Sequence, residues 1–251
     1  MLEKVLPDTI AMSRSVSIFL ATGWGVGPAC LHALADRLNS MGYAVTLASL
    51  PDSDRNEQWL PMMAARLPDR SHWIGWSLGG QWLSALTDRY GERCLSLTTL
   101  ASNPCFVARP DWPAAMDADV FADFRNDFLR FPEKTRQRFL QLIAQGCPEP
   151  RRLIKHLHRL MPPRPNPGDN AGLEWLSRLD TRSALCAYGG RQLHILAAED
   201  ALVPIACEQA LRCLLPAAAV MSLPAMGHGF PVSAPLETAH AIDAFITAGR
   251  P

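Results

Sequence analysis

Short apolar runs alternate with longer amphipathic segments along most of this sequence, and this alternation limits the fold more than any other feature. The runs are almost continuously apolar, as strands that are buried on both faces of a sheet are. Strands that alternate with helices need crossover connections, which predicts a mostly parallel sheet with helices on both faces, an α/β fold. The predicted strands are residues 16–21, 43–50, 72–76, 94–101, 192–197 and 218–223. The predicted helices that alternate with them are residues 28–41, 57–67, 79–90 and 235–248.

The alternation is interrupted between about residues 103 and 185, where the pattern is helical and contains no strand-like run. Helices are predicted at residues 118–131, 134–145 and 151–160, followed by a proline-rich turn at residues 161–168. A helical insertion between two strands would cover the carboxyl ends of the strands, where open parallel sheets bind ligands. We therefore expect an α/β core formed by residues 1–102 and 186–251, with residues 103–185 as a helical lid.

Composition excludes several classes of protein. Of the 251 residues, 48% are hydrophobic and 19% are charged, which is too apolar for a disordered chain. The 24 basic and 24 acidic side chains cancel, which argues against a general nucleic-acid binder. The apolar stretch at residues 16–21 is too short to span a bilayer or to serve as a secretory signal, so we expect no membrane association.

The seven cysteines are scattered, and no two of them form a C-x-x-C pair. This spacing suggests neither a zinc site nor a redox motif, so we expect no metal and no cofactor. Thiols of this kind in a chain without a secretory signal favour a cytoplasmic protein, which we expect to be a monomer.

A G-x-S-x-G motif with Ser77 at its centre lies between a predicted strand and a predicted helix. That context is the one in which a nucleophilic serine stands on a tight turn, with small residues that let strand and helix approach closely. The alternative is a glycine-rich turn that carries an ordinary serine. The motif reads Gly75-Trp76-Ser77-Leu78-Gly79.

A serine nucleophile needs a base, and the base needs an acid that holds its tautomer. In this class of fold the acid and then the histidine follow the serine along the chain, on loops after later strands. Asp200 follows the strand at 192–197, and His228 follows the strand at 218–223 between two glycines. Glu199 is the alternative acid, but the shorter Asp200 fits the D-x-x-V-P turn better. The other six histidines lie in predicted helices or strands.

The oxyanion of an acyl-transfer reaction needs two backbone N–H donors. We predict Leu78, directly after the nucleophile, as one donor, and Trp24, in the turn after the first predicted strand, as the other. The indole of Trp24 would line an acyl pocket beside Trp76, although Trp24 could instead be a core residue at the end of a strand.

Charge is concentrated in residues 130–164, which contain nine basic and two acidic residues in a chain that is neutral overall. Such a segment is either a solvated helical face or a docking surface for an acidic partner. The sequence alone leaves both interpretations open.

Several motifs resemble one family of α/β hydrolases, the pimeloyl-[acyl-carrier protein] methyl ester esterases of biotin synthesis. The likeness extends over most of the chain, and its most specific parts are Trp76 beside the serine and the stretch that opens the helical segment. The matching motifs are Gly23-Trp24-Gly25, the motif around Ser77 with Gly80, Ala101-Ser102-Asn103-Pro104-Cys105-Phe106, Ala108-Arg109 with Asp111-Trp112-Pro113, and Asp200 with Leu202-Val203-Pro204.

The resemblance implies a serine esterase that hydrolyses the methyl ester of a pimeloyl chain carried on acyl carrier protein. It implies that Trp24, Trp76, Leu78 and Phe139 bind the substrate, although Phe139 could simply be a core residue. It also implies that basic residues on the lid helices bind the acidic carrier. These positions correspond to Lys134, Arg138, Arg151 and Lys155.

Two departures from the family pattern lie beside the expected pocket. Thr22 stands where the family usually has a histidine before the Gly-Trp-Gly turn, and the loop after the second strand lacks the glycines that are usual there. These changes affect the expected substrate more than the reaction type. The alternatives are a short-chain carboxylesterase of broad specificity without a carrier partner, and a noncatalytic binding protein of the same fold. The altered loop reads Leu50-Pro51-Asp52-Ser53-Asp54.

Overall fold

The computed structural model describes residues 16–249. Its strands are β1 (Val16–Ala21), β2 (Tyr43–Ala48), β3 (Ser71–Trp76), β4 (Cys94–Leu100), β5 (Arg191–Ala197) and β6 (Ala219–Leu223). They form one six-stranded sheet in the order β2-β1-β3-β4-β5-β6, and every neighbouring pair is parallel. The predicted parallel sheet is therefore confirmed. Residues 1–15 and 250–251 of the predicted core lie outside the described residues.

Helices connect these strands. They are α1 (His32–Ser40), α2 (Asn56–Ala64), α3 (Leu78–Tyr90), α4 (Ala118–Arg130), α5 (Pro132–Ala144), α6 (Pro150–Leu160), α7 (Gly168–Arg178), α8 (Arg182–Ala187), α9 (Ala206–Leu214), α10 (Phe230–Ser233) and α11 (Pro235–Thr247). Helix α1 packs against α11, whereas α3 packs against α2 and α8. Short 3-10 turns precede α1 and β4.

The sheet is held by apolar residues that are buried on both of its faces. In the central strand β3, Trp73, Ile74 and Trp76 are each no more than 1% exposed. The edge strand β2 alternates between buried and exposed positions instead. The predicted strand at 218–223 began one residue before β6, and two predicted strands extended too far at their carboxyl ends. Strand β2 ends at Ala48, shortly before Pro51, which has no N–H to pair, and β4 ends at Leu100 because Ala101 has a φ of +45°.

The segment between β4 and β5 contains helices α4 to α8, and its extended structure is limited to isolated β-bridges. Helices α4, α5 and α6 correspond to the three predicted helices, with ends that differ by one or two residues. The proline-rich turn was predicted at residues 161–168, and Gly168 already begins α7. Helix α4 packs against α5 and α7, and α5 packs against α6. Within residues 16–249, no helix is both long enough and apolar enough to cross a lipid bilayer.

Candidate active site

Three of the predicted site residues follow the carboxyl ends of strands in the parallel sheet. Ser77 comes directly after β3, Asp200 lies in the loop after β5, and His228 lies in the loop after β6. Because parallel strands all end at the same edge of a sheet, these three loops share one edge. The order of the strands also makes β5 and β6 neighbours, so the loops of Asp200 and His228 are adjacent.

Ser77 stands on a strained turn between β3 and α3. Its φ is +55° and its ψ is −123°, a region that non-glycine residues rarely occupy and that clusters at active sites. Its backbone N–H donates to Leu100 O at 2.8 Å, which ties the turn to β4. A Cβ at Gly75 would collide with the backbone of Gly79 and Gly80. The glycines of the motif are thus required by the close approach of strand and helix.

Asp200 and His228 form a buried pair. His228 Nδ1 lies 2.8 Å from Asp200 Oδ2 and 3.1 Å from Oδ1, and each side chain is 1% exposed. Asp200 Oδ1 also accepts hydrogen bonds from the backbone N–H groups of Leu202 at 2.8 Å and Val203 at 3.0 Å. An ionised carboxylate only accepts hydrogen bonds, so Nδ1 carries the proton and Nε2 is left as the basic nitrogen.

The structure brings Asp200, rather than Glu199, to the imidazole. The backbone N–H of Glu199 donates to Met226 O at 2.9 Å, which links the loop after β5 to the loop after β6. A hydrogen bond from β3 also stabilises the loop of His228: Trp76 Nε1 donates to His228 O at 3.0 Å. The rings of Trp76 and His228 have centroids 6.0 Å apart.

His228 Nε2 is buried and has no hydrogen-bond partner among the described residues. Ser77 follows Trp76 directly, yet its hydroxyl makes no hydrogen bond with this nitrogen in the structure. Contacts between a base and its nucleophile are often long before a substrate binds. The structure therefore brings Asp200 and His228 into contact, and it places the turn of Ser77 at the same edge of the sheet.

The two predicted oxyanion donors belong to segments next to Ser77. Leu78 is the first residue of α3, so its N–H has no acceptor within the helix and lies at the positive end of the helix dipole. The turn with Gly23 and Trp24 lies against the serine, since a Cβ at Gly23 would be 3.0 Å from Ser77 Cβ and 3.6 Å from its Oγ. The indole of Trp24 is fixed because its Nε1 donates to Asp169 O at 2.7 Å.

A cavity of about 110 Å³ lies beside Trp24, between the core and the helical segment. Trp24 and Phe139 both line it, with ring centroids 4.8 Å apart in an edge-to-face contact, and Arg138 lies at its boundary. Trp76 and Leu78, also predicted to bind the substrate, are almost completely buried and are not among its lining residues. Other apolar residues of the lining include Phe106, Met116, Phe121, Phe124, Leu142 and Leu173.

The four residues predicted to bind a carrier all lie on the packed pair α5 and α6. Lys134 and Arg138 are exposed on α5, and Arg151 and Lys155 are exposed on α6. Arg138 forms an ion pair of 3.2 Å with Asp127 of α4, in which both side chains are about half exposed. The four cations are thus all accessible to solvent, two on each of these packed helices.

Not every cation of the basic segment reaches the surface. Arg136 is only 6% exposed, and its guanidinium donates to Pro162 O at 2.9 Å. Burial lowers the pKa of Arg136, and the nearby carboxyl group of Asp169 partly offsets this decrease. Burial also raises the pKa of Asp169 itself. Charge counting along the sequence could not distinguish this internal cation from its exposed neighbours.

The two departures from the family pattern also have structural positions. Thr22 is buried, and its Oγ1 has no hydrogen-bond partner within the described part of the chain. In the glycine-free loop, Asp52 Oδ1 accepts from Gly168 N at 3.4 Å, so this loop contacts the start of α7. Sequence reasoning missed Asp169 and Gly172 as neighbours of Trp24. Asp169 lies 145 residues after Trp24 in the chain, in a helix whose pattern is weakened by Gly168 and Gly172.

Solved structures with the same architecture include a bromoperoxidase from Bacillus anthracis, with a TM-score of 0.81 and 16% identity over 93% of this chain and 92% of that chain. An esterase from Exiguobacterium antarcticum has a TM-score of 0.79 and 16% identity over the same shares. Likeness at this level of identity shows the fold alone. A family model described as alpha/beta hydrolase fold matches residues 34–235. The chain is an α/β hydrolase.

Sequence relatives narrow this class. The pimeloyl-[acyl-carrier protein] methyl ester esterase of Aeromonas hydrophila is 33% identical over 91% of this chain and 94% of its own length. The chain belongs to the family of pimeloyl-[acyl-carrier protein] methyl ester esterases. The biotin biosynthesis bifunctional protein BioHC of Teredinibacter turnerae is 33% identical over 95% of this chain. The chain spans less than half of the length of that bifunctional relative and of its counterpart in Cellvibrio japonicus, 46% and 42%.

Proposed function

We propose that this protein is a serine carboxylesterase that hydrolyses the methyl ester of a pimeloyl chain carried on acyl carrier protein. The observation that supports it most is the buried pair of His228 and Asp200, 2.8 Å apart, at the sheet edge that also carries the strained turn of Ser77. A buried imidazole whose Nδ1 is held by a carboxylate and whose Nε2 is unpaired is equipped to take a proton from a hydroxyl.

In the proposed reaction, Nε2 of His228 takes the proton of Ser77 as its Oγ attacks the ester carbonyl. The N–H groups of Trp24 and Leu78 stabilise the negative oxygen of the tetrahedral intermediate. The intermediate collapses to an acyl-enzyme, and methanol leaves with the proton from His228. Water then attacks the acyl carbonyl while His228 takes its proton. The bond to Ser77 Oγ breaks, Oγ recovers a proton from His228 and the acid is released, so that this scheme requires no metal and no cofactor.

The acyl chain would lie in the cavity beside Trp24 and Phe139. Its lining is almost entirely apolar, and each methylene buried there contributes about 0.8 kcal/mol to binding. Residues 103–185 contribute most of this lining, which supports their role as a lid over the α/β core. An apolar channel of this kind suits the unbranched chain that separates a methyl ester from a carrier.

The carrier would bind to Lys134, Arg138, Arg151 and Lys155. All four are exposed on α5 and α6, and long-range attraction to an acidic protein would raise the rate of association. The seven cysteines are all free, which supports a reducing compartment such as the cytoplasm as the place of action.

The decisive experiment gives the purified protein two substrates, the methyl pimeloyl conjugate of acyl carrier protein and p-nitrophenyl butyrate. We expect both to be hydrolysed, and Ser77→Ala to hydrolyse neither. Charge reversal of Arg138 and Arg151 to glutamate should lower kcat/KM for the conjugate by about tenfold or more and leave the small ester unaffected. Arg89→Glu on α3 is the matched control, because it changes the same charge outside the basic segment.

Other results would support the alternatives. Hydrolysis of p-nitrophenyl butyrate without hydrolysis of the conjugate would favour a short-chain carboxylesterase of broad specificity. Ser77→Ala with the activity of the parent would favour a noncatalytic member of the fold. Complementation of a biotin-requiring bacterial strain by the parent, but not by Ser77→Ala, would link the activity to biotin synthesis in the cell.

A further inference from the structure

The end of α5 lies against the loop that carries His228. The backbone N–H of Gly229 donates to Ile143 O at 2.9 Å, a bond between residues 86 positions apart in the sequence. A Cβ at Gly229 would lie 2.9 Å from the same oxygen and 2.8 Å from Leu153 Cδ2, so only glycine fits there without displacement. A Cβ on the other flanking residue, Gly227, would collide with Gln145 O. The imidazole is thus bracketed by two glycines that both contact this one segment.

The same segment also touches the loop that carries the acid. Gly146 has a φ of +77°, and a Cβ there would collide with Glu199, the residue directly before Asp200. The loops after β5 and β6 are joined to each other by the bond from Glu199 N to Met226 O. Residues 143–146 therefore contact both members of the acid–base pair through their immediate neighbours.

We propose that residues 143–146, at the end of α5, are a clamp that positions His228 and Asp200 for catalysis. None of these residues reaches the reacting atoms, so they act as positioning residues. This proposal rests on the proposed function only in that Ser77, Asp200 and His228 carry out the hydrolysis. It does not depend on which ester is the natural substrate.

Helix α5 also contacts the turn that carries Trp24, one of the predicted oxyanion donors. Phe139, one turn before Ile143, packs against the Trp24 ring and lies within 3.6 Å of a Cβ position at Gly25 in the oxyanion turn. Arg138 on the same helix is exposed to a carrier. Helix α5 and the two residues after it therefore contact the turn of Trp24, the loop of His228 and the loop of Asp200. A carrier that binds α5 would act on the element that fixes the geometry of the site.

The test uses Gly146→Ala, which forces a Cβ against Glu199. Phosphonylation of Ser77 by a p-nitrophenyl phosphonate gives two readouts, since the nitrophenol released counts the folded sites and its rate reports attack by the serine. We expect the count to equal that of the parent and the rate constant to fall by about tenfold or more, because small misplacements of catalytic groups are costly. For p-nitrophenyl butyrate, kcat should fall while KM stays unchanged.

Gly42→Ala is the matched control for backbone strain. Gly42 has a φ of +94°, but a Cβ there meets nothing within 4 Å, so this variant should keep both the count and the rate constant of the parent. Leu153→Ala is a milder second variant, because it loosens the packing on Gly229 without adding an atom, and it should lower the rate constant by a smaller factor.

Two results would overturn the proposal that residues 143–146 position His228 and Asp200. One is a Gly146→Ala protein with fewer reactive sites that each react at the rate of the parent, which would show a purely structural role. The other is a variant equal to the parent in both readouts. If the parent itself reacts with neither the phosphonate nor the ester, then the proposed function is wrong and the clamp proposal falls with it.

Discussion

His228 Nδ1 lies 2.8 Å from Asp200 Oδ2, and both side chains are 1% exposed. The carboxylate is fixed independently of the imidazole, because its Oδ1 accepts two backbone N–H groups from the turn that follows it. The orientation of the imidazole is thus set by a loop that is already rigid. Asp200 therefore has two separate roles: it orients the imidazole of His228, and it accepts hydrogen bonds that stabilise its own loop.

Asp200→Asn should lower kcat for p-nitrophenyl butyrate by about 10⁴-fold, as loss of the correct histidine tautomer does in Ser-His-Asp enzymes. Its melting temperature should stay near that of the parent, because the amide oxygen can still accept from Leu202 and Val203. Asp200→Ala removes that acceptor as well, and each buried N–H left unpaired costs about 1–3 kcal/mol. Steady-state kinetics and thermal denaturation measure the two effects separately.

Glu199→Gln is the control for this pair of variants. It removes the neighbouring charge and keeps the backbone and Cβ, so its kcat should equal that of the parent. A larger loss of kcat in Glu199→Gln than in Asp200→Asn would identify Glu199 as the acid and contradict the prediction.

Asp127→Asn should increase kcat/KM for the carrier-bound substrate severalfold at low ionic strength. The Asp127 carboxylate lies 3.2 Å from Arg138 and would compete with an acidic carrier for that cation. The gain should disappear at high salt and should be absent with p-nitrophenyl butyrate. Asp123→Asn, an exposed carboxylate on the same helix, controls for the change in net charge, and an equal gain in that variant would argue against a specific role for Arg138.

Phe139→Ala should shift the preference for acyl chain length. Removal of the ring enlarges the cavity beside Trp24, so the ratio of kcat/KM for p-nitrophenyl octanoate to that for p-nitrophenyl butyrate should rise severalfold. The same change should lower the free energy of unfolding by about 3–5 kcal/mol. Phe245→Ala on α11 is a control that loses packing away from the cavity. An unchanged ratio in Phe139→Ala would exclude Phe139 from the acyl channel.

Stability should fall as the pH is lowered from 7 to 5 because of His194. Burial lowers the pKa of His194 to about 4, whereas an unfolded histidine has a pKa near 6.5. Between these values the unfolded chain binds a proton that the folded chain does not, so the folded state loses about 2 kcal/mol by pH 5. Urea denaturation at both pH values measures this loss.

His194→Gln should lose this part of the pH dependence, because an amide does not titrate. It keeps a group that can bond to Thr99, whose hydroxyl lies 2.7 Å from Nδ1 of the native ring. His240→Gln, at an exposed position, should retain the full dependence. Equal pH dependence in the parent and in His194→Gln would rule out His194 as its source.

Much of the fold could be predicted because its signals are local. The apolar run of β1 has the predicted bounds, and the other strands differ from prediction by at most two residues. The contact between Asp200 and His228 also follows from local signals, since each lies just after a strand and the two strands are neighbours in a parallel sheet. Chain order and strand patterns were therefore enough to predict that Asp200 and His228 meet.

The remaining features depend on contacts between distant residues, which leave no local trace. Helix α7 was not identified because Gly168 and Gly172 weaken its helical pattern, and Gly172 is needed because a Cβ there would lie 2.5 Å from Trp24 Cδ1. Burial of Arg136 depends on how α5 packs, not on its own sequence. The glycines at 146, 227 and 229 resemble ordinary loop residues until the loops and α5 are placed together.

Because the side chains of His228 and Asp200 are buried, chemical labelling should reach His228 later than the exposed histidines. Diethyl pyrocarbonate acylates imidazoles that solvent reaches, and His32, His158 and His240 are exposed, whereas His228 is fully buried. The exposed imidazoles should therefore be carbethoxylated first, while the enzyme keeps its turnover. Inactivation should lag behind the absorbance change, and the length of that lag would report how slowly a small molecule reaches the buried imidazole.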